Sequence, residues 1–130
     1  MDGLHQSTAT SASGMKAQTE RLRLISENIA NSDTPGYRRK LATFENVVRS
    51  GRETGQVKTG PVELDQRALE QLYDPSNPMA NAEGYLDGSN VELVIEIADA
   101  REAQRSYEAN LRMFDQARKM RTSLLELLRR

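Results

Sequence analysis

From Ser89 to Arg130 the chain carries no glycine and no proline. Across that run apolar residues recur at helical steps of three or four: Leu93, Ile97, Ala100, Tyr107, Leu111, Phe114, Ala117, Leu124 and Leu128. The stripe breaks only at Gln104 and Met120–Arg121. Ser89-Asn-Val-Glu92 has the form of a capping box at the helix start. Glu108–Arg112, Asp115–Lys119 and Glu126–Arg130 are acid-first i,i+4 pairs, each worth about 0.2–0.5 kcal/mol. Acids gather in 91–102 and basic residues in 112–130, as the helix dipole favours. A helix of some ~38 residues is roughly 57 Å long. A compact domain of about 130 residues has a radius of gyration near 14 Å. A helix of that length protrudes, and its apolar stripe needs cover from elsewhere.

The first part of the chain offers some of that cover. Leu4, Ser11, Gln18 and Ile25 share one heptad position, and Thr8, Met15, Leu22 and Ile29 share the other. The later half of this pattern is apolar; the earlier half, within "STATSASG", is small and polar. Such a segment is a poor helix former alone, but its small side chains admit a neighbouring backbone. Residues 1 to about 14 are therefore expected to become helical mainly when packed, and to be disordered in the free monomer. The helix is expected to stop near Asn31. Pro35 disfavours helical geometry at Thr34, and Gly36 permits a positive φ. Thr34-Pro35-Gly36-Tyr37 reads as a turn with proline in its second position.

Residues 37–89 differ in character. "YRRKLATFENVV" and "GQVKTGPVELD" are β-compatible, with a loop-like "SGRETG" between them. "LYDPSNPMANAEGYLDGSN" is too rich in Pro, Gly and Asn for a long regular element, and fits an extended arm with a hairpin near Gly84. The fold class that follows is mainly α. Long N- and C-terminal helices pack as a coiled-coil-like pair, with an irregular, β-containing arm between them. The divisions are an assembly helix over 1–32, the arm over 33–89 and the long helix over 90–130. The candidate packing residues are Leu22, Ile25, Ile29, Leu93, Ile97, Tyr107, Leu111, Phe114 and Leu124, with Tyr107 read as packing rather than ligand recognition.

Composition narrows the function. A net charge of −1 gives no electrostatic case for nucleic acid. No run of about 18 apolar residues exists to span a bilayer. There is no Cys, so thiol chemistry, disulfides and Cys-ligated zinc are excluded. "MDGLHQSTATSASG" lacks the basic start and apolar run of a cleaved signal. His5 is the sole histidine and lies in the small polar leader. No phosphate loop, nucleophile elbow or metal-ligand spacing occurs, so no cofactor or catalytic residue is assigned. The many carboxylates read as solvated helix faces and intrahelical pairs. Arg38-Arg39-Lys40 is either a contact for an acidic neighbour or a solvated turn. Three classes of function remain: a subunit of an elongated assembly, a helical export chaperone or adaptor, and a small hydrolase with an unrecognised carboxylate pair.

Three motifs resemble the axial protein family of the bacterial flagellum, and within it the short proximal rod proteins. In "SENIANSDTPGYRRK", Asn28, Asn31, Thr34, Gly36 and Tyr37 match the rod and hook signature, with Pro35 inside it. In "YDPSNPMANAEGY", the matching residues are Tyr73, Pro75, Pro78, Ala80, Gly84 and Tyr85. The third motif opens at Asn90-Val91 and continues through Arg105-Ser-Tyr107-Glu-Ala-Asn110 in the long helix. Only about 33 residues separate the first two motifs, which suits the short proximal rod proteins rather than the distal rod or hook proteins. A sister proximal subunit shares the first motif but lacks the second. The resemblance implies a structural subunit, not an enzyme, in the proximal part of the basal-body rod, the drive shaft that also encloses the export channel. It implies as partners other proximal and distal rod proteins, the MS-ring and export-gate base, and copies of the chain itself. It implies a periplasmic basal-body location, reached through the flagellar type III apparatus without a cleaved signal peptide.

Overall fold

The computed structural model describes residues 2–130. Helix α1 (Asp2–Ala30) leads into six short strands, β1 (Lys40–Leu41), β2 (Phe44–Arg49), β3 (Arg52–Thr59), β4 (Glu63–Leu64), β5 (Gln71–Tyr73) and β6 (Tyr85–Asp87). Helix α2 (Leu93–Leu128) closes the chain. The strands form three separate antiparallel pairs, β1–β4, β2–β3 and β5–β6. No pair grows into a larger sheet among the described residues, so the arm has no sheet-backed core of its own.

The two helices lie antiparallel. Asn28 meets Glu96, Arg21 meets Glu102, Gly14 sits against Asn110, and Leu4 shares a cleft with Ala117. Partner numbers fall on α2 as they rise on α1. On α2 the buried positions are Glu96, Ala103 and Ala117, with Asn110 half-buried between them. These recur at intervals of seven, the coiled-coil repeat. On α1 the buried positions are Ser11, Ala17, Leu24, Ile25 and Asn28. The seam is made largely of small and polar side chains, and so the backbones come close. A Cβ added at Gly14 would stand 2.7 Å from Asn110 Oδ1.

That seam departs from the expected one. The inward phase of α2 runs through 96, 103, 110 and 117, sharing Ala117 with the apolar stripe and otherwise lying one residue behind Ile97 and Leu111. Leu93, Ile97, Leu111 and Leu124 consequently stay exposed, while Tyr107 and Phe114 are half-buried at its edge. On α1, Ile25 is buried, Leu22 is half-buried and Ile29 is exposed. The physical reason is volume: Gly14, Ala17, Ala103 and Ala117 let the helices approach along the small-residue face, where leucines would hold them apart.

Helix α2 also begins otherwise than the capping-box pattern indicates. Its N-cap is Glu92, which makes no side-chain capping bond. The Ser89 hydroxyl instead donates to the Ser32 carbonyl and accepts the Val91 N–H. At the end of α1, the Asn31 side chain donates to the Glu27 carbonyl at 2.9 Å. The chain then turns: Tyr37 N–H donates to Thr34 O at 3.2 Å, and Gly36 takes φ 74°. Proline second and a positive-φ glycine third make this a type II turn. The Gly36 N–H is shared between the carbonyls of Asp87 and Gly88, 3.1 Å from each.

Within the arm, β2 and β3 are joined by Ser50–Gly51, both at positive φ (53° and 77°), the two-residue turn that suits strand twist. Most of the loop-like "SGRETG" is therefore strand, with only its first two residues in the turn. The hairpin lies on the small-residue part of α1, where Val57 N–H donates to Ser13 Oγ at 3.1 Å. The leader thus packs on two sides, against α2 through Gly14 and against β3 through Ser13.

The close approach at Gly14 generates a double-variant test. Gly14→Leu overfills the seam and lowers unfolding free energy by about 1–3 kcal/mol. Adding Asn110→Ala to the same chain recovers part of that loss, because the two sites share one space. Urea unfolding of the four chains measures both effects. Strictly additive losses would show that the helices do not meet there.

Candidate functional site

The two largest fully buried side chains are polar: Glu96, 0% exposed, and Asn28, 1%. Both belong to a junction where α1 ends, the arm leaves and α2 begins. Asn28 sits in the last turn of α1, facing the chain that returns after the Thr34–Tyr37 turn. Its amide donates to Lys40 O at 2.9 Å and to Glu96 Oε2 at 3.3 Å. Its carbonyl oxygen accepts Tyr37 OH at 2.8 Å and Lys40 N–H at 2.9 Å. Both amide hydrogens and both lone pairs are used, so this buried group is fully satisfied.

Arg39 occupies the centre. Its Nε donates to Glu96, its Nη2 to Asp99 Oδ2 at 2.6 Å, and its Nη1 lies 3.6 Å from Asp65 Oδ2. Its backbone N–H donates to Asn90 Oδ1 at 2.7 Å, and its carbonyl accepts the Asp65 N–H at 2.8 Å. Asn90 reaches back to the carbonyls of Asp65 and Arg67, as does Arg38. One side chain thereby ties together the turn after α1, the segment after β4 and the first turns of α2. Arg21 and Arg67 flank the outer acids, so three arginines face Glu96, Asp99 and Asp65. Beside them Lys40 pairs with Glu27.

The electrostatics follow from these contacts. Burial alone would lower Arg39, but the hydrogen bond to Glu96 and the charges of Glu96, Asp99 and Asp65 outweigh it and hold the guanidinium more basic than usual. The Arg67 backbone N–H, helped by its guanidinium, holds Asp65 below the ordinary carboxylate value. The Lys40 hydrogen bond lowers Glu27, and that of Glu27 raises Lys40. Burial first, then the charge of Glu27, raises Tyr37. Each junction acid has its own basic or hydrogen-bonding partner, so the arrangement holds a backbone geometry. His5 stands exposed near the far end of α1.

The first motif's residues come together here. Asn28 and Tyr37 bond each other, Asn31, Thr34, Pro35 and Gly36 make the turn, and Asn90 bonds Arg39. Tyr73, Pro75, Pro78, Gly84 and Tyr85 lie elsewhere, in the β5–β6 hairpin. Successive turns start at Asp74, Asn77 and Asn81, with Pro75 and Pro78 in second positions of the first two. Tyr73 and Tyr85 face each other with ring centroids 5.2 Å apart. Gly84, at φ 90°, leaves room for the Tyr73 ring, which a Cβ there would approach to 2.8 Å.

Of the two readings of the basic cluster, the contact with acidic neighbours holds: Arg39 and Lys40 meet acids, and Arg38 meets carbonyls. The carboxylates show what the sequence reading missed. Glu96 is not on a solvated helix face. One signal for it was available, since Glu96 shares the seven-residue phase of Ala103, Asn110 and Ala117.

Comparison with known proteins places these features. Residues 9–38, from α1 through the turn, match the model for "Flagella basal body rod protein". Residues 82–127, covering β6 and α2, match "Flagellar basal body rod FlgEFG protein C-terminal". The flagellar basal-body rod protein FlgC of Agrobacterium fabrum is 40% identical over 99% of this chain and 98% of its own. Those of Salmonella typhimurium and Bacillus subtilis are 34% and 32% identical, over 88% and 90% of this chain and 90% and 93% of their own.

Two outcomes test the junction. Arg39→Met leaves Glu96 buried without its partner and costs about 3–5 kcal/mol, whereas Arg39→Met with Glu96→Leu costs less than the single change. Chemical unfolding decides between this and an additive result. The lowered acids add a pH dependence. A depressed folded pKa contributes stability above the unfolded value and loses it as pH falls through the folded one. Asp65 and Glu27 therefore contribute fully at neutral pH. Their share disappears below about pH 4. The raised Lys40 and Arg39 contribute unchanged through this range, since each loses its share only above its ordinary basic pKa. Asp65→Asn should flatten the acid limb of the stability curve.

Proposed function

This chain belongs to the FlgC family of flagellar basal-body rod proteins and is a structural subunit of the rod, and on that premise we propose how it is built in. The α1–α2 pair forms the packed layer of the tube, and the arm over 33–89, its β2–β3 hairpin laid along α1, presents a lateral face whose position the Arg39–Glu96 junction helps to hold. Residues 2 to about 14 take up their helix as they are packed, which suits a chain threaded through a narrow export channel. The subunit belongs to the proximal rod, in the periplasmic basal body. It contacts proximal and distal rod neighbours, copies of itself, and the MS-ring and export-gate base. Its export by the type III route needs no cleaved signal peptide. Its work is mechanical rather than enzymatic.

One observation carries this reading: the large apolar side chains of α2 face away from the intramolecular seam. Leu93, Ile97, Leu111 and Leu124 are each 40–49% exposed, and Val94 is 80% exposed. A helix with leucines outside and alanines inside has its own partner satisfied and a second surface unfilled. Exposed Ile29 and half-buried Leu22 on α1, with half-buried Tyr107 and Phe114 on α2, complete that outward set, while Ile25 packs inside the seam.

The test separates folding from assembly. Leu111→Asp changes an exposed side chain, so the monomer's stability should shift by less than about 1 kcal/mol. In a rod, the same carboxylate would be buried without a partner, and incorporation should fall to background while secretion stays normal. Gly36→Val acts through the backbone alone, since nothing lies within 4 Å of its added Cβ. It strains the turn by about 1–3 kcal/mol, and reduces incorporation more than export. Fractionation of basal bodies beside secreted protein reads both variants. Normal incorporation of Leu111→Asp would mean that the α2 stripe faces solvent in the rod, and would sink the proposal.

A further inference from the structure

Two unpartnered surfaces stand at opposite ends of α2. At its C-terminal end every residue from 121 to 130 is exposed, and no other described element covers it. Leu124, Leu125, Leu127 and Leu128 lie there, with Leu128 78% exposed. The charges among residues 121–130 are mainly basic: Arg121, Arg129 and Arg130 against Glu126. At the N-terminal end the β5–β6 hairpin adjoins α2. Its register pairs Tyr73 with Tyr85 and Gln71 with Asp87 on one face, and turns Leu86 inward from the other. Tyr73 is 66% and Met79 67% exposed. No basic residue occurs between Arg67 and Arg101, whereas Glu70, Asp74, Glu83 and Asp87 are all exposed acids. One surface is thus leucine-rich and basic; the other is aromatic and acidic.

Resting on the rod-subunit reading, we propose that these surfaces bind each other between copies. The basic leucine end of α2 in one copy seats on the Tyr73–Tyr85 face of the hairpin in the next. They cannot meet within one chain, because the 36-residue helix holds them apart by roughly 54 Å. Matched apolar surfaces supply contact area, and opposite charges set the orientation. The two patches are different, so the contact is head-to-tail. Such a contact leaves one patch of each kind free at the ends and extends rather than closing into a dimer. An aromatic pair rimmed by acids also disfavours a second hairpin as its occupant, since like charges would oppose.

The absence of cysteine makes cross-linking a clean probe. Met79→Cys and Leu128→Cys chains are purified separately, mixed at low salt and treated with a short bis-maleimide. The expected result is a mixed dimer from the mixture, little product from either chain alone, and a ladder from the doubly substituted chain. The yield should fall several-fold in high salt, as screened charges require. Arg129→Glu with Arg130→Glu on the Leu128→Cys chain should reduce it about tenfold, the loss of about 1.4 kcal/mol of association free energy. Glu83→Lys with Asp87→Lys on the partner should restore it. Circular dichroism confirms that each variant keeps its helices. Strong dimer from Leu128→Cys alone would show two α2 ends pairing and overturn the proposal, as would no mixed product from helical chains. Basal-body incorporation of the unsubstituted chain is scored separately. If it is normal while cross-linking fails, only the head-to-tail contact is wrong; if it fails, the rod reading itself is.

Discussion

Arg39 bonded to Glu96 is the interaction on which the rest of the molecule hangs. The buried apolar side chains of the described residues are Ala17, Leu24, Ile25, Leu86, Ala103 and Ala117. Three alanines among six give little transfer free energy, and only Leu86 comes from the arm. Apolar packing therefore cannot orient the arm on the helices. Directional bonds do so instead, and they converge on one guanidinium. A buried ion pair is weak evidence for stability, because desolvation offsets most of its attraction. Here its consequence is geometric. Satisfying Glu96 requires Arg39 in one place, which requires the Thr34–Tyr37 turn on one side and Asp65 and Asn90 on the other. A different arm angle would leave a charge buried and unpaired, at several kcal/mol.

The same logic explains the first motif physically. Asn28 must be an amide, because its site demands two donors and two acceptors at once. Tyr37 must carry a hydroxyl to fill one of those acceptors. Gly36 takes a backbone conformation that side chains disfavour, and its N–H binds the end of β6. Asn90 ties the start of α2 to the strand side of Arg39. The motif is a description of how a helix ends, turns and locks onto the chain that returns beside it.

A subunit arranged this way is incomplete alone. Its helix seam uses small side chains, and its leucines and methionines along α2 are left outside. For an isolated domain this distribution is costly in stability and solubility. On the proposed reading it separates two tasks: the small-residue seam sets the shape of each subunit, and the outward leucines supply area for neighbours. Binding that recognises only the folded form would then add to stability by mass action.

The sequence by itself determined the elements. An uninterrupted run after Ser89 and a heptad before Asn31 specify two helices, because periodicity and the absence of breakers are local properties. Pro35 and Gly36 specify the turn for the same reason, and the alternation of β-compatible and turn residues specifies a strand-bearing arm. The tertiary structure alone decided which face of α2 meets α1. Hydrophobic periodicity points to the face with the largest side chains, whereas close helix approach selects the face with the smallest. It also decided where α2 starts, since Ser89 is drawn to Ser32 rather than to its own helix. The pairing of Arg39 with Glu96 joins residues 57 positions apart, and no local pattern relates them. Charges on a helix read as solvated until a second element removes the solvent, and only the three-dimensional fold brings that element into place.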